Sequence, residues 1–272
     1  MNPKISIILP TWKDSKSIEK SIESVKSQSF LDWELIIVDD GLYKDRLFQI
    51  KEFIKDDERI ILLENKENLG IQKSLNLGLK KSKGDYIARI DDDDLWINKD
   101  KLKKQFEFLE ENPDYVLIGS GAKFVDENNN FLFNYYFPEK DEDIRKNILG
   151  KNCFVHSSVL FNKKTVLELG GYNEDISAKH IEDYDLWIKL GLKGKMYNLH
   201  ECLISFTLRK GSISSKNKID QSRKDLNLAK KYQKFYPNRF LGILKSYFRF
   251  YSFLIFNKIT PNFIKNFIRK IY

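Results

Sequence analysis

Four short runs, Ile5–Leu9, Glu34–Val38, Arg59–Leu63 and Asp85–Ile90, are apolar at nearly every position, and each is followed by a segment with helical spacing. This alternation constrains the chain more than any other feature. A strand with one wet face alternates apolar and polar residues, whereas a strand covered on both faces does not. Ile18, Ile22 and Val25 predict the first helix, with Ser and Asp before them as N-caps. Leu47, Ile50 and Ile54 predict the second, Ile71, Leu75 and Leu79 the third, and Leu102, Phe106 and Leu109 the fourth. Strand and helix in strict alternation imply an α/β domain with a parallel sheet and helices on both faces. Pro10 is expected to end the first strand.

In such sheets ligands sit outside the carboxyl ends of the strands. The residues to weigh are therefore Thr11, Asp39, Asp40, Asn68 and the run Asp91-Asp-Asp-Asp94. Four carboxylates at one strand end repel one another. A hard divalent cation such as Mg²⁺ or Mn²⁺ would relieve that repulsion, with phosphate oxygens completing its shell. The other reading is a solvated acidic turn capping a helix from about Asn98. Asp39-Asp40-Gly41 repeats the pattern, although taken singly it reads as a turn. Glu182 and Asp183 open a helix whose buried face is Leu186, Trp187 and Leu190, and acidic first-turn residues also complement a helix dipole. No Gly-x-Gly-x-x-Gly or Gly-Lys-Ser/Thr occurs, which argues against a dinucleotide or P-loop site.

In their order, these pieces resemble family 2 glycosyltransferases of the GT-A fold. The matching residues are Ser6-Ile-Ile-Leu-Pro-Thr11, Trp33-Glu-Leu-Ile-Ile-Val-Asp-Asp-Gly41, and Asn68-Leu-Gly70 with Asn76. They continue through Lys83-Gly-Asp-Tyr-Ile-Ala-Arg-Ile-Asp-Asp-Asp-Asp-Leu-Trp96, His156-Ser-Ser158, Gly170-Gly-Tyr172 and Glu182-Asp-Tyr-Asp-Leu-Trp187. The resemblance covers roughly residues 3–215. It implies a Rossmann-like, mostly parallel sheet and an inverting transfer of one sugar from a UDP-sugar to a saccharide hydroxyl. Thr11, Asp40, Asp91 and Asp93 are then expected to bind the nucleotide sugar, with Asp40 at the uracil edge. Asp93 and Asp94 are expected to hold Mn²⁺ or Mg²⁺, and Asp183 to act as general base. Glu182, His156 and Arg209 are expected at the acceptor or the phosphates. Two departures stand out. The usual Asp-Gly-Ser-x-Asp loop reads Asp40-Gly-Leu-Tyr-Lys-Asp45, and Arg209 and Lys210 stand where many relatives carry Arg and then His.

Charge divides the chain. Of the net +8, residues 216–272 carry 14 Lys/Arg against 2 Asp/Glu, so the remainder is mildly acidic. This tail also holds 13 of the 37 aromatics, densest over Phe240–Phe256, where Lys245 and Arg249 argue against a membrane span. Basic flanks around Phe, Tyr and Leu suit a helix lying in an anionic membrane interface. The alternative is a helical cap on the core. The acidic body argues against a nucleic-acid partner. Domains are thus expected at 1–215 and 216–272. Two cysteines make no disulfide framework, and the first ten residues contain no leader-like run, so the expected place is the cytoplasmic face of the membrane. The acceptor expected from the resemblance is a lipid-linked saccharide of O-antigen, capsule or lipopolysaccharide assembly, narrowly a Gal or Glc transfer to GlcNAc-diphospho-undecaprenol. A non-catalytic nucleotide-sugar binding module and a phosphoacceptor signalling domain around Asp39-Asp40 are the rival readings.

Overall fold

A computed structural model describes residues 2–13, 17–209 and 218–259 of the 272. The expected alternation forms β1 (Ile5–Lys13), α1 (Ile18–Lys26), β2 (Trp33–Leu42), α2 (Lys44–Ile54), β3 (Ile60–Glu64), α3 (Ile71–Lys81) and β4 (Tyr86–Arg89). Next come β5 (Leu95–Trp96), α4 (Lys101–Glu111), β6 (Tyr115–Val125), β7 (Phe131–Tyr135), α5 (Asp141–Asn147), β8 (Leu160–Asn162) and α6 (Lys163–Glu168). The chain then forms α7 (Glu182–Leu190), β9 (Lys195–Thr207), α8 (Lys218–Tyr232) and α9 (Arg239–Ile259). Among the described residues the strands make one sheet in the order β3-β2-β1-β4-β8-β6-β9-β5, with β7 paired to β6.

The sheet is parallel over β3-β2-β1-β4, as expected, and mixed beyond it. β8 lies antiparallel to both β4 and β6, while β6 and β9 run parallel. Both faces of the parallel half are covered. Ile5, Ile7, Leu9, Leu35 and Ile37 pack with Ile18, Ile22 and Val25 of α1, Ile50 of α2 and Leu102 of α4. Ile8, Ile36 and Val38 pack on the opposite face with Leu75 and Leu79 of α3 and with α7 and α8. Each such side chain contributes about 1.5–3 kcal/mol on burial. Helix α3 lies so close to β1 that a Cβ on Gly78 would stand 2.7 Å from Ile8 Cγ2.

Pro10 does not end β1, which continues to Lys13. Ile8 accepts a hydrogen bond from Ile90 N, so Pro10, two residues on, faces the same side beyond the end of β4. Its missing N–H is needed by no partner there. The helix expected near Asn98 begins at Lys101, because Leu95 and Trp96 first pair with Ser205 and Ile204 of β9.

The inner face of the C-terminal pair belongs to the main core. Leu226, Leu228, Ala229 and Tyr232 of α8 are buried, and Arg249 of α9 pairs with Asp225 of α8 at 2.9 Å. Ser246 of α9 donates to Leu149 O at 2.7 Å. The outer face of α9 exposes Phe240, Leu244, Phe248, Tyr251 and Ile255, an apolar stripe at helical spacing. Among the described residues no helix is long and apolar enough to cross a membrane.

Candidate active site

The carboxyl ends of β1, β2 and β4 converge, bringing Thr11, Asp39, Asp40 and the aspartate run together. Thr11 lies beside Asp39 in the β1–β2 ladder and donates from Oγ1 to Asp92 Oδ2 at 2.7 Å. Asp39 Oδ1 accepts from Gly41 N and Leu42 N and so shapes the turn that ends β2. Asp40 closes the neighbouring loop. Its Oδ1 accepts from Asn65 Nδ2 at 2.8 Å and Leu69 N at 2.7 Å, and its Oδ2 from Gly70 N at 2.8 Å. Most of its acceptor capacity is thus spent on the protein, and Oδ2 alone keeps a lone pair for a base edge.

The four aspartates have four different surroundings. Asp91 pairs with the Arg89 guanidinium, Asp92 receives Thr11, and Asp93 Oδ2 lies 3.0 Å from Arg209 Nε. Asp94 is turned inward. Its Oδ2 accepts from Ser157 Oγ, its Oδ1 from Thr207 N at 3.1 Å, and the side chain is wholly buried. Burial, then the Asp91 and Asp93 carboxylates, hold Asp94 well above the usual carboxylate range. Asp94 was expected beside Asp93 as a metal ligand. Pairing of β5 with β9 tucks it under Thr207, whereas Asp91, Asp92 and Asp93 all stay partly exposed. Asp93 is pushed up to about 7 by burial and by the Asp91 and Asp92 carboxylates, against the pull of Arg209 and Arg89.

This crowding fits a hard cation. Among the described residues no cluster of three or more acidic, histidine or cysteine side chains is arranged to enclose a metal. A hard cation here would draw one or two carboxylates from the run and complete its shell with substrate oxygens, the usual habit of Mg²⁺. Arg209 also donates to Ser17 Oγ at 2.9 Å and lies at the rim, while Lys73 is exposed on α3 and Lys210 lies outside the described residues.

A second acidic group sits at the start of α7. Asp183 Oδ2 accepts from Asn152 Nδ2 at 2.8 Å. Burial holds Asp183 above the ordinary aspartate value, with the Tyr184 N–H, Asn152 and Arg89 opposing. Glu182 is buried, its Oε2 has no hydrogen-bond partner among the described residues, and burial followed by the Asp183 charge pushes it up to about 7. His156 bonds through Nε2 to Tyr172 OH at 2.8 Å and packs edge-on against Trp187. Burial and then Arg89 hold its pKa well below the usual histidine value, which favours the neutral ring. Trp96 and Trp187 are core residues, as their apolar settings imply.

Three contributors were not singled out by the sequence. Arg89, only 3% exposed, lies within electrostatic reach of Asp91, Asp94, Glu182, Asp183 and His156. It lies within the Lys83–Trp96 motif, as a cation at the end of an otherwise apolar strand, but no role is expected of it there. Ser157 receives Asp91 N at 3.0 Å while its hydroxyl meets Asp94. Asn152 had no signal beyond being polar. Asn76, noted within the motifs, exchanges two hydrogen bonds with the Tyr172 backbone and thereby docks the Gly170-Gly171 turn on α3.

A Rossmann-like half-sheet with a carboxylate pair at its strand ends and a second acidic group on an opposing helix defines a transferase of the GT-A fold. Residues 6–169 match the model of the family described as Glycosyl transferase family 2, and the chain belongs to that family. It is 31% identical over 218 residues to the UDP-Glc:alpha-D-GlcNAc-diphosphoundecaprenol beta-1,3-glucosyltransferase WfgD of Escherichia coli, covering 80% of this chain and 78% of the relative. Among solved structures, S. aureus TarS 1-349 in complex with UDP-GlcNAc superposes with a TM-score of 0.72 at 20% identity, covering 95% of this chain and 76% of that one. The mannosyltransferase PcManGT from Pyrobaculum calidifontis, in complex with GDP-Man and Mn²⁺, gives 0.68 at 18% identity, over 90% and 69% of the two chains. These likenesses establish the fold.

Proposed function

We propose that this glycosyltransferase moves one hexose, Gal or Glc, from a UDP-sugar to a hydroxyl of a lipid-linked saccharide, with inversion, in surface polysaccharide assembly. The observation that carries this reading is the pair of acidic groups on either side of Arg89: Asp91 and Asp93 at the donor side, Glu182 and Asp183 at the start of α7. A single displacement needs one base and no carboxylate nucleophile, and Asp183 is the base in this reading. WfgD, whose name specifies a UDP-Glc donor and a GlcNAc-diphosphoundecaprenol acceptor, supports the choice of substrates.

Asp93, with Asp91, would hold Mn²⁺ or Mg²⁺, and the ion would neutralise charge developing on the departing diphosphate. Arg209 adds a cation on the same side. Thr11 and Asp40 shape the nucleoside end. Asp183 takes the proton from the acceptor hydroxyl, and Asn152 and Arg89 favour its ionised form. Residues 216–272 serve as the attachment element, with α8 and the inner face of α9 packed on the body and the apolar stripe with its basic flanks directed to an anionic membrane surface on the cytoplasmic side.

The test is a donor screen with Mn²⁺, GlcNAc-diphospho-undecaprenol and a panel of UDP-, GDP- and dTDP-sugars. Transfer from UDP-Gal or UDP-Glc, giving a β-linked product, is expected. Absence of transfer from every UDP-sugar overturns the donor assignment, and full activity in EDTA overturns the metal.

A further inference from the structure

A 31-residue separation in sequence hides one contact that the proposed chemistry depends on: Asn152 Nδ2 donates to Asp183 Oδ2 at 2.8 Å. The orientation of that carboxamide is decided locally. Asn152 Oδ1 accepts from Phe154 N at 3.1 Å, so the other end of the amide, the NH₂, must face the carboxylate. The turn that carries Asn152 is anchored from both sides. Tyr184, the neighbour of Asp183 on α7, bonds through its hydroxyl to Ile148 O, and Ser246 of α9 bonds to Leu149 O at 2.7 Å. Gly242 of α9 lies so close that a Cβ there would meet Leu149 Cβ at 2.8 Å.

We infer that Asn152 is a positioning residue for the base: its carboxamide sets the plane of the Asp183 carboxylate and favours its ionised form, and α9 holds the Asn152 turn in register with α7. The inference rests on Asp183 being the base. A carboxylate offers about four lone-pair sites. The one taken by Asn152 leaves others for an acceptor hydroxyl. The charged and titratable groups facing Asp183 are Glu182 on α7, Arg89 and Asp91 at the end of β4, Tyr172 after the Gly170-Gly171 turn, and Asp225 on α8. Among the described residues Asn152 is the one side chain that donates a hydrogen bond to it.

The experiment is the pH–rate profile of transfer in the full chain for Asn152→Ala and Asn152→Asp. Aspartate is isosteric and still accepts from Phe154 N, so it removes the donor with the least disturbance of the turn. Loss of an N–H that favours the ionised base raises the pH at which activity falls on the acid side. Asn152→Ala is expected to move the acid limb upward and lower kcat by up to about 100-fold, with the donor KM unchanged. Asn152→Asp should move that limb further, since it sets a second carboxylate against the first. Ser246→Ala should give a smaller change of the same kind. Acid limbs that superpose on the unsubstituted protein, or a donor KM that rises in step with the fall in kcat, overturn the inference. Asp183→Asn is run alongside: undiminished transfer by that variant is a failure of the base assignment itself, whereas a dead Asp183→Asn with unshifted Asn152 variants is a failure of the Asn152 inference alone.

Discussion

Arg89 and Asp91 form an ion pair at the carboxyl end of β4, with the guanidinium buried and the carboxylate partly open. The pair joins the two halves of the site, because the same guanidinium favours the ionised forms of Asp93, Glu182 and Asp183. A buried charge persists only when it is compensated, and several carboxylates share that task here.

Removing the cation leaves those carboxylates crowded and uncompensated. Arg89→Met should cost about 3–5 kcal/mol of stability, measured by urea unfolding. Arg89→Lys should recover part of that, since a shorter, more strongly hydrated point charge keeps the positive charge but cannot reproduce the Nη1 contacts to Asp91 and Ser157. A Met variant as stable as the parent would show that the guanidinium is not what balances the site.

Asp93 and Asp94 should separate cleanly. Asp93→Asn is expected to weaken Mn²⁺-dependent UDP-sugar binding in a calorimetric titration while leaving the unfolding midpoint near that of the parent. Asp94→Ala leaves the Ser157 hydroxyl and Thr207 N–H without their acceptor, at a cost of about 1–3 kcal/mol each. The outcome that sinks this assignment is the reverse pattern, a stable Asp94 variant that has lost metal.

Glu182 gives a stability signature. It keeps its proton up to about pH 7 in the fold, against an ordinary value of 4.5. Between those values the folded state binds more protons than the unfolded one, so this group's contribution falls as pH rises from about 4.5 to 7 and then levels off. Glu182→Gln cannot ionise. Its Tm should match that of the parent near pH 4.5 and exceed it at pH 8, and a difference independent of pH would count against the buried, unpaired carboxylate.

The outer face of α9 predicts lipid selectivity. The full chain should float with vesicles containing anionic lipid and stay behind with neutral ones, and added salt should weaken the association. Substituting Phe240→Ser and Phe248→Ser, at side chains 81% and 75% exposed, should abolish flotation without unfolding the protein. Unchanged flotation of this double variant would move the attachment elsewhere.

Legibility in the sequence followed the range of the interactions involved. The first half of the domain was readable because each of its strands contains a nearly continuous apolar run and each helix keeps one buried stripe. β6 was not: Gly119-Ser120-Gly121 in its middle reads as a turn, and only the close packing of Asn198, Phe154 and Glu201 against those glycines explains them. β8 is three residues long and owes its place to pairing with β4 and β6.

By itself the sequence determined the alternation of strand and helix, the strand ends at which acidic side chains gather, and the split between an acidic body and a basic, aromatic tail. Those are properties of neighbours and of composition, so they survive without a fold. Tertiary structure alone decided that Asp94 faces inward while the other three aspartates stay partly exposed, that Arg89 balances both acidic groups, and that Asn152 meets Asp183. Each of these depends on which side chains become neighbours in a low-dielectric interior, where an unpaired charge or donor is costly. Periodicity along the chain carries no record of those pairings.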